Sequence, residues 1–201
     1  ITKKIFLWDF NRRRSTGNWN SDIYKLFLEL NKTEVYFDNA EVDLNTCKDI
    51  LYNTEKQKWR NEITVVPKLR TYCTFKDNYD TEPYVYKVCN RAHRSFLTQF
   101  RCGILPLKIE TGRYNNIPLE LRLCIMCENN SIEDENHFLF ECSCYSDIRN
   151  TYYQKFRENC QEFDRMNFEN KLKHLMSANM VKLTAEFIYV CYCRRRDIMY
   201  N

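Results

Sequence analysis

The amino-acid sequence predicts a mainly α-helical protein, in which one small irregular module is inserted into a helical domain. Apolar residues at helical spacing dominate the 201-residue chain, as where Ile23, Leu26 and Leu30 recur at intervals of three and four. Three glycines and four prolines are too few for a loop-rich β-sandwich. Segment 122–145 departs from the helical pattern, because it concentrates cysteines around one histidine.

Helix start and stop signals locate the elements in order. Ser21 caps a first helix, and Asp43 caps a second helix that Pro67 stops. Between them the stretch TEVYFDN indicates a turn or a short extended piece, and the weak alternation of residues 68–80 indicates an extended connector. Three C-terminal helices are predicted to begin at Ser146 or Asp147, at Asn167 and near residue 180.

The clearest predicted helix covers residues 82–102. Start signals at residues 81–83 and the stop signal Gly103 bound it. An irregular segment, ILPLKIETGRYNNIPLE, follows it. The predicted apolar face of the helix consists of Val85, Cys89, Ala92 and Phe96, flanked by Val88 and Phe100.

The predicted organisation has four parts. Residues 1–18 form a linker or the tail of an upstream domain, and 19–121 form a helical region that includes the basic helix 82–102. Residues 122–145 form the inserted module, and 146–201 form C-terminal helices that pack on the same core.

Composition excludes several classes of protein. The net charge of +4 is small, so any nucleic-acid affinity must come from a local basic patch. No apolar run approaches the roughly 20 residues of a membrane span. The chain contains eleven cysteines, an odd number, and it is too long for a small disulfide scaffold. We therefore expect free thiols in a reducing, intracellular location, in the nucleus or cytoplasm.

The inserted module carries a pattern of metal ligands, in which Cys124 and Cys127 are followed by His137 and Cys142. Structural zinc takes four nitrogen or sulfur ligands, and two cysteines separated by two residues can hold one edge of its tetrahedron. The pattern therefore predicts a CCHC zinc knuckle (a CCHC zinc finger) with one structural Zn2+. Cys144 is a rival for the fourth position, but the four-residue spacer before Cys142 fits better.

Four protein ligands leave no open coordination position, so we expect a structural and non-catalytic site. We also expect Glu133, Asp134 and Glu135 to form a solvated acidic loop beside it. Residues 123–145 contain five acidic and no basic side chains, and three thiolates with one zinc add about −1. The module is therefore a poor phosphate binder by itself.

Four stretches, RSFLTQFRCGILPLKIETGRYNN, LCIMC, IEDENHFLFEC and YSDIR, carry a family resemblance. They resemble the region downstream of the polymerase domain in non-LTR (LINE-like) retrotransposon reverse transcriptases, over about 68–150. The resemblance places the family's zinc ligands on Cys124, Cys127, His137 and Cys142. It implies a C-terminal region that binds RNA or target DNA, next to an upstream reverse transcriptase domain.

The enzymatic parts of that family do not occur in the sequence. These 201 residues contain no Tyr/Phe-x-Asp-Asp polymerase motif, and the acidic residues after 145 show no arrangement typical of a nuclease. We therefore expect this chain to be non-catalytic, although a parent protein would resemble an RNA-directed DNA polymerase.

Basic residues concentrate before the module, where segment 84–122 has a local charge of +5. Helical spacing places four of them on one stripe of the helix 82–102, which predicts contacts to phosphates. The alternative for the stripe is an ordinary solvated helix face. The alternative for the function is a domesticated module that binds protein through its zinc knuckle and aromatic helices. The predicted nucleic-acid-binding residues are Lys87, Arg91, Arg94 and Arg101 on the stripe, with Lys108 and Arg113 after it.

Overall fold

The computed structural model describes residues 19–38 and 43–200, and in these residues the protein is mainly α-helical, as predicted. The segment predicted as a linker, 1–18, lies outside the described residues. The described helices are α1 (Trp19–Glu29), α2 (Thr33–Asp38), α3 (Leu44–Val65), α4 (Arg70–Phe75), α5 (Tyr84–Lys87), α6 (Arg91–Arg101), α7 (Lys108–Tyr114), α8 (Ser146–Asn159), α9 (Phe168–Met176) and α10 (Val181–Tyr200).

Short helical turns connect the longer elements. The 3-10 turns are Pro67–Leu69, Leu119–Leu121, Ser143–Tyr145 and Phe163–Arg165, and one π-helical turn covers His137–Glu141. Within the described ranges, β pairing is limited to an isolated antiparallel bridge between Leu123 and Ile132. None of the described helices is both long enough and apolar enough to cross a membrane.

Two predicted helix starts are confirmed in detail. The carboxylate of Asp43 accepts a hydrogen bond from the N–H of Asn45 at 3.0 Å, immediately before α3. The side chain of Asn167 accepts one from the N–H of Asn170 at 2.9 Å, at the start of α9. Both contacts satisfy backbone donors that have no partner inside the first turn of a helix.

Three segments predicted to be extended or irregular contain helices instead. The described part of the stretch TEVYFDN, residues 33–38, forms α2, the connector 68–80 contains α4, and the irregular segment after Gly103 contains α7. Each of these helices has only six or seven residues. Helices this short show less than two full turns of periodicity, so packing rather than sequence pattern stabilises them.

The predicted helix 82–102 is wrong in one respect, because the structure divides it into α5 and α6. Val88 lies between them and is buried, at 2% exposure. The Arg94 guanidinium donates to the Val88 carbonyl at 2.6 Å, and the Lys87 ammonium donates to the Ala178 carbonyl at 2.9 Å. Two predicted stripe residues therefore hold the break in place.

The break also changes the apolar face predicted for this helix. Val85 and Cys89 are exposed, whereas Leu97 and Phe100 are fully buried. The stop signal is confirmed, because Gly103 follows α6 with φ +62°, and a Cβ there would meet the Lys68 carbonyl oxygen at 2.0 Å.

The chain divides into two compact units at Asn61 and Glu62, and α3 spans the division. In the first unit α1 packs on α2 through an edge-to-face contact of Tyr24 with Tyr36, whose ring centroids lie 5.1 Å apart. In the second unit α6 packs along α10, where Phe96 lies 4.4 Å from Tyr192 between ring centroids.

The core of the second unit joins the inserted module to the C-terminal helices. Phe138 and Leu139 of the π-helical turn are fully buried together with Phe156 of α8 and Phe187 of α10. At about 25 cal/mol per Å2 of apolar surface, burying one such aromatic ring stabilises the fold by roughly 2–3 kcal/mol. The metal-ligand segment is therefore part of the main core of its unit.

The break before α6 can be tested with one substitution, because the sign of its effect on stability differs between a broken and a continuous helix. Asn90 caps α6, since its side-chain oxygen accepts from the N–H groups of Ala92 and His93. Asn90→Ala should lower the free energy of unfolding by about 1 kcal/mol in urea denaturation, whereas Asn90→Asp keeps the acceptor and should have little effect. In one continuous helix the same alanine would increase stability, so a stabilised variant would contradict the break.

Candidate metal centre

The first two ligands lie on a tight turn that follows the Leu123–Ile132 bridge. The Cys124 N–H donates to the Ser131 carbonyl at 2.8 Å and closes the base of the turn. At the tip, the Met126 N–H donates to the Cys124 sulfur at 3.4 Å. This contact is the one that a sulfur carrying negative charge requires, and it fixes the direction of the sulfur.

The other two ligands lie at the two ends of the π-helical turn. The Cys142 N–H donates to the His137 carbonyl at 2.8 Å, five residues earlier in the chain. This single wide turn brings the two side chains to the same side of the backbone. Asp134 caps the turn, because its carboxylate accepts from the His137 N–H at 2.8 Å.

The structure brings the four predicted ligands together, with their ligand atoms all within 4.8 Å of one another. The Cys124 and Cys142 sulfurs are 3.9 Å apart, and the Cys127 sulfur is 3.3 Å from His137 Nε2. A tetrahedral zinc with Zn–S of about 2.3 Å needs separations of about 3.8 Å between sulfurs and about 3.5 Å between sulfur and nitrogen. Cys144 lies outside this group. The donor set and its spacing fit such an ion.

Burial disfavours the thiolate forms of two of these cysteines. Removal from water raises the pKa of the Cys124 and Cys142 thiols above the ordinary value. A divalent cation between the sulfurs favours the thiolates and releases their protons. With zinc bound, Cys124, Cys127 and Cys142 would be its thiolate ligands and His137 its nitrogen ligand through Nε2, and the ion would crosslink the two turns.

The acidic segment beside the ligands is not the solvated loop that the sequence predicts. Glu133 is 1% exposed and Glu135 is 2% exposed. Burial raises the pKa of both carboxyl groups, and neighbouring guanidinium groups oppose the rise. A buried carboxylate is tolerated only when it is paired and hydrogen-bonded. The prediction was wrong because the partners come from distant parts of the sequence.

Glu133 joins three elements. One of its oxygens accepts from the Arg195 guanidinium of α10 at 2.8 Å and from the Lys108 N–H at the start of α7, also at 2.8 Å. Its other oxygen lies 3.9 Å from the sulfur of Cys124. Glu133 therefore connects a metal ligand directly to two helices.

Glu135 connects the same segment to the preceding part of the chain. Its two oxygens accept from the Arg70 guanidinium at 2.8 and 2.7 Å, and Thr71 donates its hydroxyl at 3.1 Å. Both partners belong to α4. With the Asp134 cap on His137, each of the three acidic residues therefore positions the ligand segment.

Arg101 does not belong to an exposed basic stripe. It is 1% exposed, forms an ion pair with Glu82, and lies 4.4 Å from the ring centroid of Phe75 and 4.8 Å from that of Tyr84. A guanidinium enclosed by rings and a carboxylate has no surface to offer a phosphate. Its place on the helix agrees with this burial, because Arg101 follows buried Leu97 by four residues.

The other predicted nucleic-acid-binding residues differ in their exposure and in whether an acidic residue pairs with them. Lys87 and Arg91 are exposed, and Arg94 and Lys108 are half-buried. Arg113 is exposed but forms a two-point ion pair with Glu110, at 3.0 and 2.8 Å. Its charge is therefore largely compensated.

Two arginines near the metal ligands were missed by sequence reasoning. Arg149 of α8 is buried and donates to the carbonyl of Cys142, and Arg195 is buried against Glu133. Helical spacing could have predicted the burial of Arg195, because Arg195 follows buried Ile188 and Cys191 by seven and four residues.

The fold and the site together define a mainly α-helical protein with a largely buried cluster of three cysteines and one histidine. Comparison with protein-family models, with curated proteins and with solved structures gives no match to this chain.

The choice of ligands can be tested with two cysteine variants. Cys127→Ser should lose bound metal, because it removes one of four converging ligand atoms. Cys144→Ser should retain a full equivalent, since Cys144 lies outside the group. Elemental analysis of the purified variants measures both, and the reverse pattern would show that Cys144 and not Cys127 binds the ion.

Proposed function

We propose that this chain is a zinc-binding, nucleic-acid-binding C-terminal region of the non-LTR reverse transcriptase type, which holds template RNA or target DNA. It acts without catalysing a reaction. Its motifs resemble those of that family, and its buried three-cysteine, one-histidine cluster has the donor chemistry of structural zinc. Magnesium-dependent primer extension by the purified chain would contradict the non-catalytic role.

The proposal rests on a surface of exposed cations and half-buried aromatic rings near the start of α10, which we call the α6–α10 face: Lys87, His93, Lys182 and Tyr189, together with Arg91, which is exposed on the other side of α6. The His93 ring lies 4.7 Å from the Tyr189 ring between centroids, so the two helices meet there. Lys182 precedes Tyr189 by seven residues and lies on the same side of α10. Exposed cations beside aromatic rings are the combination that binds phosphates and stacks bases.

Lys87 extends this surface past the start of α10. Its ammonium donates to the Ala178 carbonyl at 2.9 Å, which fixes the side chain near the N-terminal end of that helix. Arg91 and Lys182 are also exposed. These three exposed cations would supply the non-specific, salt-dependent part of nucleic-acid affinity.

The acidity of the metal module opposes this function less than its composition indicates. Residues 123–145 carry five acidic and no basic side chains. Two of the five, Glu133 and Glu135, are buried in ion pairs with Arg195 and Arg70. Their charges are compensated inside the fold.

Charge reversal on the face tests the proposal. We expect Arg91→Glu/Lys182→Glu to weaken binding to mixed-sequence RNA and DNA alike, because phosphate contacts do not specify sequence. On single strands, the slope of the logarithm of the binding constant against the logarithm of the salt concentration should become shallower by about 1.4, or about 0.7 for each lost contact. Fluorescence anisotropy at several salt concentrations measures both quantities. Arg94 is left unchanged, since it holds the Val88 carbonyl.

Arg165→Glu is the matched control, because its side chain is 84% exposed and it lies on the turn between α8 and α9. It should leave affinity and salt dependence as in the original chain. Equal losses in the control and the double variant would indicate a general charge effect and would contradict a defined binding face.

A second function, protein binding by a zinc-stabilised module, is favoured by an exposed apolar patch. Leu119, Leu121 and Ile125 are 52%, 62% and 55% exposed, and Ile125 directly follows a metal ligand. Exposed apolar clusters of this kind mark interaction surfaces. If the chain binds no nucleic acid even at low salt, this second function replaces the first.

A further inference from the structure

We infer that Arg195 is a positioning residue of the metal centre, whose charge allows the Glu133 carboxylate to lie beside a metal-bound thiolate. The inference rests on the proposed zinc centre and concerns its affinity for the ion. It does not depend on nucleic-acid binding.

The first observation is the contact between a carboxylate and a ligand sulfur. Glu133 Oε1 lies 3.9 Å from the Cys124 sulfur, and both side chains are buried. When Cys124 binds a metal as a thiolate, two negative groups would face each other at this distance. In a site removed from water, such repulsion is only weakly screened.

The second observation is the cation on the other side of Glu133. The Arg195 guanidinium is 2% exposed and donates to Glu133 Oε2 at 2.8 Å. A centre of one Zn2+ and three thiolates carries a net charge of about −1. The positive charge of Arg195 therefore balances the Glu133 carboxylate, so that no uncompensated negative charge lies beside the centre.

The third observation is that Glu133 has a separate structural role, which a neutral side chain can fulfil. Its Oε2 accepts from the Lys108 N–H at 2.8 Å, and an amide oxygen can accept the same hydrogen bond. Glu133→Gln thus removes the charge near Cys124 and keeps an acceptor. Replacing Arg195 instead leaves the carboxylate buried beside the thiolate with no counter-charge.

These roles predict effects of opposite sign on metal affinity. Arg195→Leu should bind Zn2+ about 10- to 100-fold more weakly than the original chain, the usual range for a lost outer contact of a metal ligand. Glu133→Gln should bind Zn2+ at least as tightly as the original chain. A purely structural ion pair would weaken binding in both variants.

The experiment measures Zn2+ affinity of the full chain at fixed pH, by competition with a chromophoric chelator. Arg196→Leu is the matched control, because Arg196 is exposed, adjacent in sequence and paired with neighbouring Asp197. Its affinity should be unchanged. Arg195→Leu with unchanged affinity, or Glu133→Gln weakened to the same extent as Arg195→Leu, would overturn the inference.

If Arg195→Leu does not fold, two variants without a buried unpaired carboxylate decide the question. Glu133→Gln and Glu133→Gln/Arg195→Leu should both retain Zn2+ within about threefold of the original affinity or more tightly, since neither places a carboxylate beside Cys124. Tenfold weaker binding by both would overturn the inference. Failure of the original chain to bind Zn2+ would instead overturn the proposed zinc centre itself, whatever the nucleic-acid result.

Discussion

Two buried carboxylates join the segment that carries the predicted metal ligands to helices of the second unit. Residues 123–145 contain no lysine or arginine of their own. The counter-charges for Glu133 and Glu135 come from α10, through Arg195, and from α4, through Arg70. The buried charges of the segment are therefore balanced by helices that precede it and follow it in the chain.

In this arrangement a bound ion and the helices would depend on each other. Without a cation, the converging side chains are held by weak contacts between sulfurs and between sulfur and imidazole, and burial disfavours the thiolate forms. Without Arg195, the Glu133 carboxylate would be buried without its counter-charge, at a cost of about 3–5 kcal/mol. The proposed metal binding would thus be coupled to folding through the packing of α4, α8 and α10 as well as through the ligands.

The sequence predicted the parts of the fold that depend on neighbouring residues. The spacing of Cys124, Cys127, His137 and Cys142 located the ligand cluster, because its ligands lie on two local turns. The caps at Asp43 and Asn167 were predictable for the same reason, since each binds a backbone N–H two or three residues away.

What the sequence did not predict depends on residues far apart in the chain. Glu133 is separated from Arg195 by 62 residues and Glu135 from Arg70 by 65, so the acidic run appeared solvated. The break near Val88 depends on the Lys87 contact with Ala178, 91 residues away. Arg101 and Arg195 both follow buried apolar residues by four positions, a periodicity that outweighs their polarity when a partner is present.

The central claim is that a structural zinc joins the ligand segment to this core. The most direct measurement is elemental analysis of the full chain, purified from cells without a chelator and compared with Cys127→Ser. The account predicts one zinc per chain and none in the variant. Less than about half an equivalent of zinc in the original chain, in a sample that is folded, would contradict it.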